Sequence, residues 1–168
     1  MSYSTTSLGF NFGEAYTVAT TTPEYPGPPL QVGVRSNGTN GAVWMFVLAA
    51  GAITANDFVI VTTNSTWSVQ SMTSTLAKGK LGQIVGVAGA TATSGQYLWM
   101  QIAGYRASVP ATTGQAAFTV LSSTATAGRI GAAVGGASAK VTGVVLLATA
   151  ASNVAAAILK NPAIGTDD

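Results

Sequence analysis

The chain has 168 residues, of which seven are basic and five acidic, and it contains neither histidine nor cysteine. Only 7% of its residues are charged, whereas about a quarter is usual in soluble domains. The missing side chains exclude disulfide bonds, thiolate catalysis, sulfur-ligated zinc and the usual serine triad. So little charge indicates that much of the surface is covered by copies of the chain, by a partner or by a membrane.

Small and β-branched residues dominate the composition, and the usual helix surface formers Glu, Lys, Arg and Leu are scarce. Such residues suit closely packed strands and tight turns better than helices. The length allows one domain of ordinary size. The composition therefore predicts a mostly β fold, in the form of a small antiparallel barrel or sandwich.

Residues 1–29 differ from the rest and predict an extended N-terminal arm in front of a β-rich domain at 30–168. Four of the six prolines lie between 23 and 29, a density that favours extended backbone over helix or sheet interior. The arm is either a floppy tail or a segment that orders against a neighbour; its aromatic residues favour the second, because disordered tails are usually poor in them. The candidate contacts with a capsid protein or a neighbouring copy are Tyr3, Phe10, Phe12, Tyr16, Tyr25, Pro26, Pro28 and Pro29.

Strand and turn patterns begin at residue 30. Residues 30–35 alternate with period two, and the two Asn-Gly pairs within 36–41 predict a hairpin turn. Residues 42–48 are apolar on both faces, which predicts a strand buried on both sides. A second buried strand is predicted at 58–61, with Asp57 as a turn residue that satisfies backbone amides.

Trp67 follows the polar turn at 64–66 and is predicted to be exposed. An exposed aromatic ring can stack on a sugar, so Trp67 is the candidate for contact with a glycan. Trp44 and Trp99 lie within predicted buried strands and are expected to be core residues.

The second half of the chain predicts further short strands, which suggest a barrel or sandwich. Residues 83–87 and 96–105 are expected to pair, and strands are expected at 118–121 and 141–147. Residues 143–159 are apolar but Ala-rich and interrupted by polar residues. They predict two strands around a turn at 151–153, with a short helix near 148–157 as the alternative and a membrane span disfavoured.

Few residues could carry catalysis, and no catalytic, metal or cofactor site is predicted. Glu14 and Glu24 lie in the arm, a poor place for a carboxylate pair that must be held rigidly. Ser138 and Lys140 have no accompanying oxyanion site. The closely spaced bases Lys78 and Lys80 fall short of the basic cluster that nucleic-acid binding requires.

Residues 78–160 resemble the decoration, or cement, proteins of tailed-bacteriophage capsids. The resemblance rests on the strand patterns at 82–87 and 95–104, the Thr-Ala-Thr-Ala-Gly-Arg turn at 124–129, and 142–145 with the Ala-rich run that follows. The resemblance implies a β-barrel-like domain that binds the outside of an assembled head, commonly as a trimer at threefold or quasi-threefold positions. The first half of the chain has no such support.

The leading hypothesis is therefore a structural virion protein and not an enzyme. Its partners would be the major capsid protein and further copies of itself, with no nucleic acid and no membrane; it would be made in the host cytoplasm and end on the capsid outer surface. The alternative hypothesis is a head-fibre or tail adhesin module that binds host surface glycans. Deletion of residues 1–29 is expected to weaken capsid binding and to leave the body folded.

Overall fold

The computed structural model describes residues 11–17, 30–132 and 138–165. Within these ranges the chain is mostly β and contains one 11-stranded mixed sheet, one short α-helix and one 3-10 turn. The elements are β1 (Ala15–Tyr16), β2 (Arg35–Asn37), the 3-10 turn (Thr39–Gly41), β3 (Val43–Ala49), β4 (Phe58–Thr63), β5 (Ser68–Ser71), α1 (Ser74–Ala77), β6 (Val85–Ala88), β7 (Tyr97–Pro110), β8 (Leu121–Ser123), β9 (Ile130–Gly131), β10 (Lys140–Leu146) and β11 (Val154–Ile164).

Five strands form a closed circuit of pairings. The sheet order runs β3, β5, β4, β6, β7, and β3 also pairs with β7. All of these pairs are antiparallel except β3 with β5, which run parallel. Five of the remaining strands extend outward from the long strand β7: β11, β10, β8 and β9 follow on one side, and β1 pairs with its N-terminal end. The sixth, β2, pairs with β3.

Side chains on the strands of the circuit alternate between its inside and its outside, as the period of two requires. The inside is filled by an inner core drawn from all five strands, which includes Met45, Val59, Val69, Ala88 and Met100. Two outer clusters cover the circuit. One packs β10 and β11 against β4 and β6, and the other is an aromatic face on β3 and β7.

Several sequence predictions are confirmed. β3 is buried on both sides, because alternate residues face the inner core and the aromatic face. The Asn-Gly hairpin joins β2 to β3, with Asn40 and Gly41 both at positive φ. The side chain of Asp57 accepts from the backbone N–H of Thr54 at 3.0 Å. β6 pairs with β7, and β10 and β11 join through the turn at 151–153.

Other predictions are wrong in detail. The sheet is mixed rather than wholly antiparallel, because the β4–β5 hairpin folds back and lays β5 alongside β3. The strand predicted at 30–35 corresponds to β2, which begins only at Arg35. The strand predicted at 118–121 begins only at Leu121, since Phe118 adopts a positive φ of 57° that ends extended backbone.

The Ala-rich run forms β11 rather than a helix. Its pairing on both sides, with β10 and with β7, supplies hydrogen bonds that outweigh the helix preference of alanine. Among the residues that the structure describes, no helix is long and apolar enough to cross a membrane.

Candidate functional site

The N-terminal segment 11–17 lies against the body of its own chain. β1 pairs with β7 through Ala15 opposite Leu98 and Tyr16 opposite Tyr97. Gly89 lies directly beneath this segment, because a Cβ atom there would overlap the carbonyl oxygen of Phe12. This part of the predicted arm is therefore a layer of the fold.

Phe12 and Tyr16 cover the aromatic face, which consists of Trp44, Phe46, Tyr97 and Trp99. The ring of Phe12 stacks on Trp44 with centroids 4.8 Å apart and planes 6° from parallel, and it meets Trp99 edge-on at 5.2 Å. The ring of Tyr16 meets Phe46 at 5.9 Å. Offset stacks and edge contacts of this kind stabilise a fold beyond the area they bury.

The Tyr16 hydroxyl donates a hydrogen bond to the carbonyl oxygen of Asn11 at 2.9 Å, which closes the segment on itself. Burial, with the nearby carboxylate of Glu14 as a smaller cause, raises the pKa of Tyr16 above its usual value of 10.0. The other candidate contacts of the arm lie outside the described residues: Tyr3, Phe10, Tyr25, Pro26, Pro28 and Pro29.

Trp67 is not the exposed aromatic residue that the sequence predicts. Its side chain is partly buried and packs against the inner core. Its backbone adopts a positive φ of 48°, which turns the indole toward Gly33, where a Cβ atom would overlap the ring. The stacking of Trp67 on a glycan therefore stays a prediction, and less of its ring is exposed for such a contact than the sequence predicts.

A groove of about 640 Å³ opens beside the aromatic face. It is lined by the turn at 37–40, Asn56 and residues 105–108 of β7, together with the buried side chains of Trp44 and Gln101 and with Phe12 of the N-terminal segment. The volume is in the range of small-ligand sites, about 300–1,000 Å³.

β7 bends where it forms the groove. Its register against β3 shifts between Gln101 and Ala103, and Gly104 adopts a φ of 92° against the backbone of Ala42, where a Cβ atom would not fit. The side-chain amide of Gln101 donates to the carbonyl oxygens of Ala103 and Tyr105, each at 3.0 Å. Irregularities of this kind re-aim the side chains that follow, here Tyr105 and Arg106.

Arg106 is the charged residue of the groove. Its guanidinium donates to the Asn56 side-chain oxygen at 2.6 Å and to the Ala88 carbonyl oxygen at 3.3 Å, and it lies 5.4 Å from the centroid of the Trp44 ring. A longer contact of 3.5 Å reaches the side-chain oxygen of Gln101. Burial lowers the pKa of Arg106, although a guanidinium stays protonated at neutral pH.

The sequence patterns indicate neither Arg106 nor the groove as a candidate site. The groove unites a turn after β2, the loop before β4 and the bend of β7, which are far apart along the chain. The one available signal is a charged residue within the long apolar stretch that forms β7.

Four large apolar side chains near the end of the β10–β11 hairpin are exposed, and we call them the apolar rim: Phe118, Val120, Leu147 and Val154. The backbone N–H of Phe118 donates to the carbonyl oxygen of Leu146, which places the 118–120 segment beside Leu147. Phe118 is 73% exposed and Val120 is 58% exposed.

No cluster of three or more metal-ligating side chains occurs in the described ranges 11–17, 30–132 and 138–165. No protein-family model matches the chain, and a comparison with curated proteins gives no significant match. The features of the chain that bear on its function are therefore the groove, the apolar rim and the residues that carry the sequence resemblance.

Proposed function

We propose that the chain is a decoration, or cement, protein of a tailed-bacteriophage head. In this proposal it binds the outer surface of the assembled capsid as a homotrimer at threefold or quasi-threefold positions. Its partners are the major capsid protein and two further copies, and it performs no catalysis. The resemblance of residues 78–160 to such proteins supports the proposal, as do the β-rich fold and the scarcity of charge.

The apolar rim is the observation that carries the proposal. An exposed phenylalanine with a positive φ costs backbone energy and also leaves apolar area in water. The loop is nevertheless braced in this conformation, because Gln115 donates to the Thr119 hydroxyl at 2.6 Å and that hydroxyl donates to the Ala116 carbonyl at 2.8 Å. A surface that is braced and apolar is suited to being covered by another protein.

The fold is suited to a protein that binds to a capsid after the capsid has assembled. We interpret the closed circuit of β3, β5, β4, β6 and β7 as a small barrel that serves as a rigid body, with the N-terminal arm reaching it through the docked segment 11–17. A rigid body loses little conformational entropy on binding. An arm that continues beyond the body would add a second contact and raise the affinity through avidity.

Stabilisation of the shell follows from mass action. A protein that binds the assembled capsid, but not the free subunits, stabilises the assembly by RT ln(1 + [L]/Kd) for each site. Burying the rim contributes about 25 cal/mol per Å² of apolar area before the costs of association. Because the rim contains no charged side chain, its burial carries no ionic desolvation cost.

Cosedimentation with capsids tests the proposal. The purified chain is mixed with assembled shells, and separately with unassembled major capsid protein, from the virus that encodes it. We expect the chain to pellet with the shells only and to raise their dissociation temperature. Phe118→Asp is expected to weaken binding about tenfold or more, since burying an unpaired carboxylate in an apolar contact costs more than about 1.4 kcal/mol.

Leu81→Asp is the matched control, because Leu81 is 66% exposed but lies in the turn before β6, away from the rim. Equal binding by the two variants would remove the rim from the contact. Failure of the unmodified chain to bind shells would overturn the cement function itself. Deletion of residues 1–10 leaves the docked segment 11–17 in place, so any loss of binding on that deletion reports on the arm alone.

A further inference from the structure

Among the residues that the structure describes, no acidic side chain pairs with the positive charge in the groove. Every hydrogen-bond acceptor of Arg106 within the described ranges is neutral: Asn56, Ala88 and Gln101. The nearest acid along the chain, Asp57, directs its carboxylate to the Thr54 N–H and to the Ser71 hydroxyl. None of the described residues that line the groove is acidic.

The hydrogen bonds that Arg106 makes to neighbouring segments do not require a charged donor. A neutral amide could donate to the same acceptors without the cost of burying a cation, since desolvation penalises the charged form. Arg106 is also one of only seven basic residues in the chain. A partly buried cation retained under these conditions is suited to a ligand that brings the opposite charge.

The surroundings of Arg106 are those of a small polar ligand. Tyr105 contributes to the groove through its backbone, where its carbonyl oxygen accepts from Gln101; because Tyr105 and Arg106 are successive residues paired in continuous register with β11, their side chains point to opposite faces of β7. The exposed amides of Asn37 and Asn40 line the same groove as Arg106 and can both donate and accept hydrogen bonds. Trp44 holds the guanidinium in position from below.

We propose that this groove binds a saccharide that bears a carboxylate, such as a uronic acid unit of an acidic polysaccharide. Arg106 pairs with the carboxylate, and Asn37 and Asn40 bind the hydroxyl groups of the sugar. A saccharide fits better than a peptide, because two exposed amides, each able to donate and to accept, share the groove with the cation. The site is independent of the cement function: a decorated capsid could use it to adhere to a cell surface.

The test is a titration of the full chain with glucuronate, followed by the fluorescence of its tryptophans and by calorimetry. Glucose and the methyl ester of glucuronate are the neutral probes, acetate is the generic anion, and N-acetyl-aspartate amide represents an acidic peptide. We expect glucuronate to bind at least about tenfold more tightly than each of these, because it alone combines a charge-assisted hydrogen bond to Arg106 with the contacts to its hydroxyl groups.

Arg106→Gln is expected to lower the affinity for glucuronate about tenfold or more and to remove its dependence on salt. Asn37→Ala removes an exposed groove amide that makes no hydrogen bond with Arg106 and is expected to weaken binding about fivefold, so it keeps the proposal testable if Arg106→Gln does not fold. Arg35→Gln, at an exposed arginine outside the groove, is the matched control and should bind as the unmodified chain does.

Three results would overturn the proposal. Acetate binding as tightly as glucuronate would reduce the groove to a generic anion site. Tighter binding of N-acetyl-aspartate amide would assign it to an acidic protein partner. No detectable glucuronate binding, or an equal loss in Arg35→Gln and Arg106→Gln, would remove the saccharide site, whatever the outcome of cosedimentation with capsids.

Discussion

The inner core and the aromatic face share strands β3 and β7 but are closed in different ways. The inner core is enclosed by all five strands of the circuit, and each of its core side chains is at most 2% exposed. The aromatic face is covered by the segment 11–17, which is attached through ring contacts and a two-residue strand. Alternation along one strand thus creates two apolar faces, of which one is self-contained and the other depends on a distant segment.

The largest loss of stability is expected from a substitution in the inner core. Met100→Ala removes a fully buried side chain from the inner core, and we expect it to lower the free energy of unfolding by about 2–5 kcal/mol, because the closed circuit cannot collapse into the cavity. Urea unfolding followed by circular dichroism measures the change. A loss below about 1 kcal/mol would mean that the circuit relaxes easily around the missing side chain.

A smaller effect is expected on the aromatic face. Phe12→Ala removes a partly buried ring that stacks on Trp44, so we expect a loss of about 1–2 kcal/mol together with a change in tryptophan fluorescence. Leu81→Ala, at an exposed apolar residue, is the control and should change stability by less than about 0.5 kcal/mol. Equal effects of the two substitutions would show that the segment does not cover the face in solution.

The smallest expected effect is a dependence on pH through Tyr16. Its pKa is raised in the folded chain, mainly by burial, so the neutral phenol is favoured there. The stabilisation that this provides is complete below pH 10 or so and is lost as the pH rises through the folded-state value. Tyr16→Phe should flatten this alkaline decline in unfolding experiments between pH 9 and about 11.5, whereas an unchanged slope would mean that the phenol is solvated in the folded chain.

Local signals in the sequence predict much of this fold. The second Asn-Gly pair, Asn40 and Gly41, forms the hairpin turn between β2 and β3, since both residues accept a positive φ. The two-sided apolar pattern of β3 predicts its burial, and the polar interruption at 151–153 predicts the turn between β10 and β11. The parallel contact of β5 with β3 has no local signal, because it depends on how a whole hairpin folds back.

The candidate site is less predictable for the same reason. The groove forms only where three separate segments converge, and a single arginine in a strand does not reveal which acceptors it will meet. The exposure of Trp67 was predicted wrongly, because a polar turn before a residue does not show that its backbone will rotate the ring inward. The apolar rim is not predictable either, because its residues 118–120 lie in a stretch that has the composition of a strand, and Leu147 and Val154 lie elsewhere in the sequence.

The pairings of β7 also determine the order in which the chain can fold during synthesis. β1 and β3 are made early, yet both pair with β7, which begins only about 50 residues after β3 ends. Closing so long a loop costs entropy before any contact rewards it, and such contacts slow folding. The segment 11–17 leaves the ribosome long before the strand that it pairs with, so it is among the last to find its place. Trp44 and Phe46 stay uncovered on the nascent chain until β7 emerges.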